Sequence, residues 1–297
     1  MVDFINTERD VEKLFPIGSL FYLQGKKYQV ILSGKPRPSS GECKTDVYVL
    51  GRTCDGEEKE IKLSVKQNNA DFLENKISLN RAYEIFGENA PNIIKQCLLL
   101  IKDEFLYDYL ICFKRYKKTE AHTIKLGWKF ELVNKISGQK SGIIQLSDEQ
   151  KFDVYAGVNL SEDKRNCYVK DKIVKNSGIA NYILIIGCNK IDTKECLTKM
   201  QPIESYAKSQ TIYFACKALN YRFDKNKWDG PRPLSAYVDW SINNGKLDAK
   251  LILDQPLVYN GNEIGYNLIK ILRQLNIKKF DDLKSKLSPN IKYYPEL

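Results

Sequence analysis

Apolar and polar residues alternate in the first quarter of the chain. Leu20 to Leu32 reads as two strands around a turn at Gly25. SGKPRPSSG, residues 33 to 41, has the composition of a loop. From Glu42 to Gln67 the alternation returns as a hairpin around Asp55-Gly56. One strand opens at Thr45-Asp46 and carries Val47 and Val49 on one face. The other carries Ile61, Leu63 and Val65 on one face and Glu60, Lys62, Ser64 and Lys66 on the opposite one. Further along, the period lengthens. Ala70 to Phe86 places Phe72, Leu73, Ile77, Ala82, Tyr83 and Phe86 at helical spacing behind an Asn68-Asn69 cap. A second helix is expected from Asn89 to about Phe113, with Pro91 in its first turn. Thr7 to Leu14 predicts a short polar helix, and Ser147-Asp-Glu-Gln150 is a capping box for a helix to about Asn159. Beyond Leu160, strands are expected near 167–172, 180–187, 210–223, 234–242 and 247–253. Asn243-Asn244-Gly245 marks a hairpin between the last two. Helices are expected at 193–207, 265–275 and 280–287. The fold class this implies is α/β (α+β), a mixed central sheet flanked by helices. The chain is expected to form one domain, divided into halves near residue 145.

The hairpin register decides which polar groups meet. Opposed residues in an antiparallel pair point to the same side, so matching the two apolar faces requires partner numbers with an even sum. A three-residue loop that pairs 53 with 57 sets Asp46 opposite Ser64. A loop centred on Gly56 sets Asp46 opposite Lys66. Glu60 lies about 13 Å further along the strand from Ser64. The plain alternative for this face is a solvated sheet surface.

Composition then narrows the chemistry. There are 47 Lys and Arg against 37 Asp and Glu, a formal charge of +10, which favours polyanionic partners, nucleic acid before anionic membrane. No run approaches the ~18 apolar residues of a membrane span. The first residues, MVDFINTERD, lack the apolar region of a secretory signal, so a cytoplasmic protein is expected. The eight cysteines form no C-x-x-C and read as small buried hydrophobes. The single histidine, His122, rules out a His-rich metal centre and is expected to have a structural role at a strand start.

Phosphodiester hydrolysis needs a divalent cation held by carboxylate and phosphate oxygens, and a positive group near the attacking water. An aspartate beside a lysine on adjacent strands supplies both. Thr45-Asp46-Val47 followed by Ser64-Val65-Lys66 resembles the core motif of the PD-(D/E)XK nucleases, specifically the type II restriction endonucleases. The stretch GKPRPSSGECKTDVYV is similar to that family as well. The family pattern is an aspartate at the start of one strand and (D/E)-x-K on the next. Asp46 and Lys66 match it; Ser64 stands where the second carboxylate usually is, and Thr45 replaces the proline. Glu60-Ile61-Lys62 is the literal E-x-K and an alternative frame. The resemblance implies Mg²⁺ held by Asp46 and Ser64, with a third ligand from Glu42 or from Glu74 on the following helix. It also implies cleavage of double-stranded DNA at a short sequence, a homodimer, a companion methyltransferase, and no membrane partner. A repair or junction nuclease of the same superfamily, and a non-catalytic nucleic-acid-binding protein, are the competing expectations.

Three basic stretches suit DNA contact: Lys114-Arg115 and the residues to Lys118; Lys164-Arg165-Asn166; and Lys227-Trp228 with Arg232. The alternative for each is a solvated charged face. The N-terminal half, about 1–145, would then cut, and the C-terminal half, about 146–297, would add much of the recognition.

Overall fold

In a computed structural model, residues 4–68, 72–75, 77–187 and 190–295 are described. Contacts divide the chain into two compact units. Segments 1–71 and 146–211 build the first, and 72–145 and 212–297 the second. The chain therefore leaves the first unit after the hairpin and returns to it at residue 146.

In the first unit, helix α1 (Phe4–Glu12) leads into strands β1 (Leu20–Leu23), β2 (Lys26–Gly34), β3 (Val47–Arg52) and β4 (Glu58–Gln67). These four form an antiparallel meander. The strand Tyr182–Ile186 then pairs parallel to β4, and Gln201–Pro202 closes the order, so the sheet is mixed. Its apolar face carries Val47, Val49, Ile61, Leu63, Val65, Leu184 and Ile186. Val11 and Phe15 from the N-terminal segment, and Cys196 and Met200 from the segment after Ile186, join that core. Burying each such side chain contributes roughly 1.5–3 kcal/mol.

The polar face of the hairpin is only partly solvated. Tyr48 and Ser64 are each 1% exposed. The Tyr48 hydroxyl donates to Glu60 Oε1 at 2.6 Å, and the Lys62 ammonium donates to the Asn176 carbonyl at 3.1 Å. Asn181 continues the ladder with its side chain: Oδ1 accepts from Lys62 N at 2.7 Å and Nδ2 donates to Glu60 O at 3.1 Å.

In the second unit the strand Thr123–Val133 lies between Tyr213–Arg222 and Ala236–Asn243, and Lys246–Ile252 follows on the far side. Asn244 and Gly245 have φ of 50° and 72°, the left-handed pair that a two-residue hairpin turn requires. Helix Gly261–Gln274 starts from an Asn260/Glu263 capping box and buries Ile264, Leu268, Ile271 and Leu272. His122 precedes the central strand. Its Nδ1 pairs with Asp224 Oδ2 at 2.7 Å and its ring stacks on Phe280, a structural setting.

Some elements differ from expectation. The Asn69 cap and residues 70–71 lie outside the described residues, but Phe72–Glu74 is a strand and the helix spans only Leu79–Phe86. Phe72 and Glu74 pair with Val133 and Leu132, and that tertiary ladder overrides the helical spacing. The helix expected to reach Phe113 breaks at Ile101 into Ala90–Leu100 and Lys102–Leu106. Ile111–Cys112 is then a strand. The 193–207 helix is two, Thr193–Lys199 and Ile203–Ser209, because Pro202 lacks the N–H that would continue the first. Phe280–Ser285 is a 3₁₀ helix. Among the described residues no helix is long and apolar enough to cross a membrane, and the seven described cysteines are free. Cys188 lies outside the described residues.

A buried charge cluster ties the central strand of the second unit to the chain before it. Asp108 Oδ2 lies 2.6 Å from Lys125 Nζ and 2.9 Å from Lys140 Nζ. Burial pushes the Asp108 carboxyl up, but the two cations outweigh it and hold it below the usual carboxylate range. At Lys125 burial wins and its ammonium sits below its ordinary value, so the two groups report opposite balances. Asp108→Asn is expected to cost about 3–5 kcal/mol, since it leaves both ammoniums uncompensated. A group depressed in the folded state contributes stability above its unfolded value and loses it as pH falls through the folded value. Wild-type stability should therefore drop in the acid range more steeply than that of Asp108→Asn, measured by urea denaturation against pH.

Candidate active site

The hairpin turn sets the geometry. Thr53 N donates to Glu57 O at 2.9 Å, closing a three-residue loop around Cys54-Asp55-Gly56. Val47 then pairs with Leu63 and Arg52 with Glu58. The ladder follows the 53–57 pairing as far as Val47–Leu63; Asp46, one residue beyond it, donates its N–H to Leu63 O at 2.8 Å, so the regular pairing that would set it opposite Ser64 ends there. Strand β3 begins only at Val47, and the Asp46 carboxylate takes the place of a backbone acceptor: its Oδ2 accepts from Val65 N at 2.8 Å. Lys66 Nζ lies 3.7 Å from the same oxygen. The Asp46 side chain is 15% exposed and that of Lys66 34%, so both reach solvent from one notch at the end of the strand pair. Oδ1 of Asp46 makes no hydrogen bond among the described residues.

A second acid comes from α1. Glu8 forms an ion pair with Lys35, just past the end of β2. Burial first, then the charge of Asp46, pushes the Glu8 carboxyl above its ordinary value, against the opposing pull of Lys35 and Lys66. Glu8, Lys35, Asp46 and Lys66 thus form one electrostatic group. A carboxyl raised by burial and by a neighbouring carboxylate suits a cation, which would relieve that repulsion. Glu8 was not among the sequence candidates. The signal for it was its spacing: it precedes Val11 by three and Phe15 by seven, an acid on the helix face that packs inward.

Ser64 is buried next to Val65, whose N–H the Asp46 carboxylate accepts. Glu42 is exposed in the loop before Asp46, and its charge is felt at Lys35. Glu74 does not lie on a helix. It is on a strand of the second unit, where its Oε1 accepts from Arg81 Nη2 at 2.9 Å. The alternative frame is engaged elsewhere: Glu60 pairs with Leu50 and accepts from Tyr48, and Lys62 lies opposite Tyr48. Asp46, Lys66 and Glu8 are therefore brought together, whereas Lys62 and Glu60 lie further down the ladder, opposite Tyr48 and Leu50. Among the described residues no cluster of three or more His, Cys, Asp or Glu stands ready around one point. The acidic set at the notch is Asp46 and Glu8. A Mg²⁺ ion keeps several waters and is commonly held by one or two carboxylates plus substrate phosphate, so this donor set fits it.

The surroundings in the first unit are basic. Lys35, Arg37 and Lys170 line a pocket of about 210 Å³ with Glu12 and Asp171. Lys164 and Arg165 lie on the short helix Glu162–Arg165 and Asn166 caps its end. Asn166 is tied up, its Oδ1 accepting from Asn176 N at 2.9 Å. Arg165 Nε is buried and has no hydrogen-bond partner among the described residues. In the second unit Lys114 and Arg115 enter an exposed turn, Lys227 is exposed, and Arg232 is partly buried. Trp228 donates its indole N–H to Asn262 Oδ1 at 2.8 Å. The basic candidates thus divide between the units. Comparison of the chain with protein-family models, with curated proteins and with solved structures returned no match.

Proposed function

We propose that the protein is a Mg²⁺-dependent endonuclease that hydrolyses phosphodiester bonds of double-stranded DNA at a short specific sequence, in the manner of a type II restriction enzyme. The observation that carries this is the register: it sets Asp46 beside Ser64-Val65-Lys66 with Lys66 Nζ 3.7 Å from the carboxylate. Bound Mg²⁺ would supply Lewis-acid stabilisation of the phosphate and a more acidic water. The chain's own groups do the rest. Asp46 Oδ1 and the Glu8 carboxylate offer oxygens to the cation. Lys66, held by Asp46 yet partly exposed, orients the attacking water and offsets charge that develops on the phosphate. Lys35, Arg37 and Lys170 hold the phosphates of the same strand, and the +10 charge draws the duplex in. The mixed sheet flanked by helices is what the restriction-endonuclease resemblance implies, and a methyltransferase acting on the same sequence would protect host DNA.

The test is incubation of the purified chain with phage DNA in Mg²⁺ and in EDTA. Discrete fragments in Mg²⁺ and intact DNA in EDTA are expected. A continuous smear would favour a repair or junction nuclease. Intact DNA under Mg²⁺ and Mn²⁺ alike would overturn the cutting activity and leave a nucleic-acid-binding protein.

A further inference from the structure

The second unit has a pocket with a different chemistry. Of the three tryptophans, Trp128 and Trp240 are 1% and 2% exposed. Trp228 is only partly buried and walls a pocket of about 540 Å³ together with Asn226, Tyr266, Lys270, Arg273 and Gln274. The indole is held rigidly. Its N–H donates to Asn262, and its ring lies on helix Gly261–Gln274 so closely that a Cβ at Gly265 would sit 3.1 Å from Cδ2 and Cε2. Tyr266 stands next to it, 63% exposed, edge-to-face at 5.1 Å. Lys270 and Arg273 follow Tyr266 by four and seven residues, on the same helix face. Neither cation forms an ion pair among the described residues, unlike Arg222, which meets Glu120 and Asp229. Asn226 uses its Oδ1 to accept from the Tyr221 hydroxyl and keeps its N–H donors.

Exposed rings on rigid supports, cations without counter-charge, and side-chain amides are each ordinary on a protein surface. Together they match one kind of ligand. The rings ask for a flat π surface, the cations for an anion, and Asn226 and Gln274 for a polar edge. We propose that this pocket takes an unpaired nucleotide of a single-stranded nucleic acid, with the base against Trp228 and Tyr266 and the phosphates on Lys270 and Arg273. Stacking on aromatic side chains is sequence-tolerant, because every base has a π-face, and a basic track beside it follows the backbone. A duplex keeps its base faces stacked internally and cannot offer one to Tyr266. If the chain cuts duplex DNA, this pocket would hold a displaced or frayed strand. The proposal does not depend on cutting.

Tryptophan fluorescence tests it. The chain carrying Asp46→Ala is titrated in EDTA with a twelve-residue oligothymidylate. Quenching is expected, and it reports Trp228 because the other two indoles are sealed in the core. Tyr266→Ala should weaken binding about tenfold. Lys270→Gln with Arg273→Gln should lower the slope of log affinity against log salt by roughly 1.4, the value for two phosphate contacts on a single strand. All three positions are exposed, so melting temperatures should stay at the wild-type value; if Tyr266→Ala unfolds, the salt slope of the charge variant decides. Thymidine monophosphate quenching as strongly as the oligomer would keep the nucleotide assignment and make a free nucleotide the source. No quenching, affinity unchanged in both variants, or equal affinity for a blunt duplex would overturn the proposal. Metal and Asp46 are both absent, so the outcome is separate from that of the cleavage assay.

Discussion

Asp46→Ala and Lys66→Ala are each expected to lower Mg²⁺-dependent cleavage by about a hundred- to a thousandfold, while Glu60→Ala and Lys62→Ala leave the rate close to wild type. The first two residues share one notch. Val65 N and Lys66 Nζ converge on Asp46 Oδ2, so loss of the aspartate removes a cation ligand and the anchor of the lysine at once. Glu8→Gln should fall with them, because Glu8 feels the charge of both. Glu60 and Lys62 face Tyr48 and the Asn176 carbonyl, and their loss is felt first in stability. Single-turnover cleavage of a plasmid with one site measures the rates, and gel shift in EDTA checks that binding survives. Cutting lost in Lys62→Ala but kept in Lys66→Ala would place the active frame four residues down the strand and sink the assignment.

Gly178→Ala is expected to destabilise the first unit by at least about 3 kcal/mol, through overpacking that the backbone cannot relieve. A Cβ at Gly178 would lie 1.9 Å from the Lys164 carbonyl oxygen, and 2.9 Å from both Cys167 Sγ and Cys43 Cβ. The surrounding backbone is pinned: Gly178 N donates to Arg165 O at 2.9 Å, and Gly178 O accepts from Lys44 N at 3.1 Å. Lys44 is two residues before Asp46, so a shift here moves the aspartate. Cleavage should fall together with the denaturation midpoint. Gly187→Ala is the control, since among the described residues its Cβ would meet only the Asn68 side chain, at an ordinary 3.6 Å. Equal midpoints for the two variants, read by urea denaturation, would show that the 164–178 segment gives way freely.

Local signals carried much of the hairpin. Asp55-Gly56 and the alternation of Ile61, Leu63 and Val65 narrow the hairpin to two registers, and the one that pairs 53 with 57 is found. The capping box at Ser147 and the Asn244-Gly245 turn likewise stand where their own chemistry puts them. What was not legible depends on partners distant in sequence. The strand Thr123–Val133 is covered on both faces, so it lacks the alternation of a half-exposed strand. It also carries Lys125, a residue that reads as surface until Asp108 and its burial are known. Phe72–Glu74 has helical spacing but joins a ladder with Leu132 and Val133. Glu8 is one of several acids in a polar helix, and only the docking of Val11 against the sheet turns it toward Asp46.

The interruption of the first unit bears on how the protein is made. Glu8, Lys35, Asp46 and Lys66 all lie within the first 66 residues, but the far edge of β4 is paired by Tyr182–Ile186. The Lys62–Asn181 bond that opens this pairing spans 119 residues. Such long loop closure is slow. A ribosome-bound chain would therefore carry every acid and lysine of the notch long before β4 gains its neighbour. During that interval β4 is an open strand edge, beside the apolar face of Ile61, Leu63 and Val65, in search of a partner. Chains truncated before residue 182 would aggregate through that edge, so a premature stop would leave the notch residues on a chain that cannot complete its sheet.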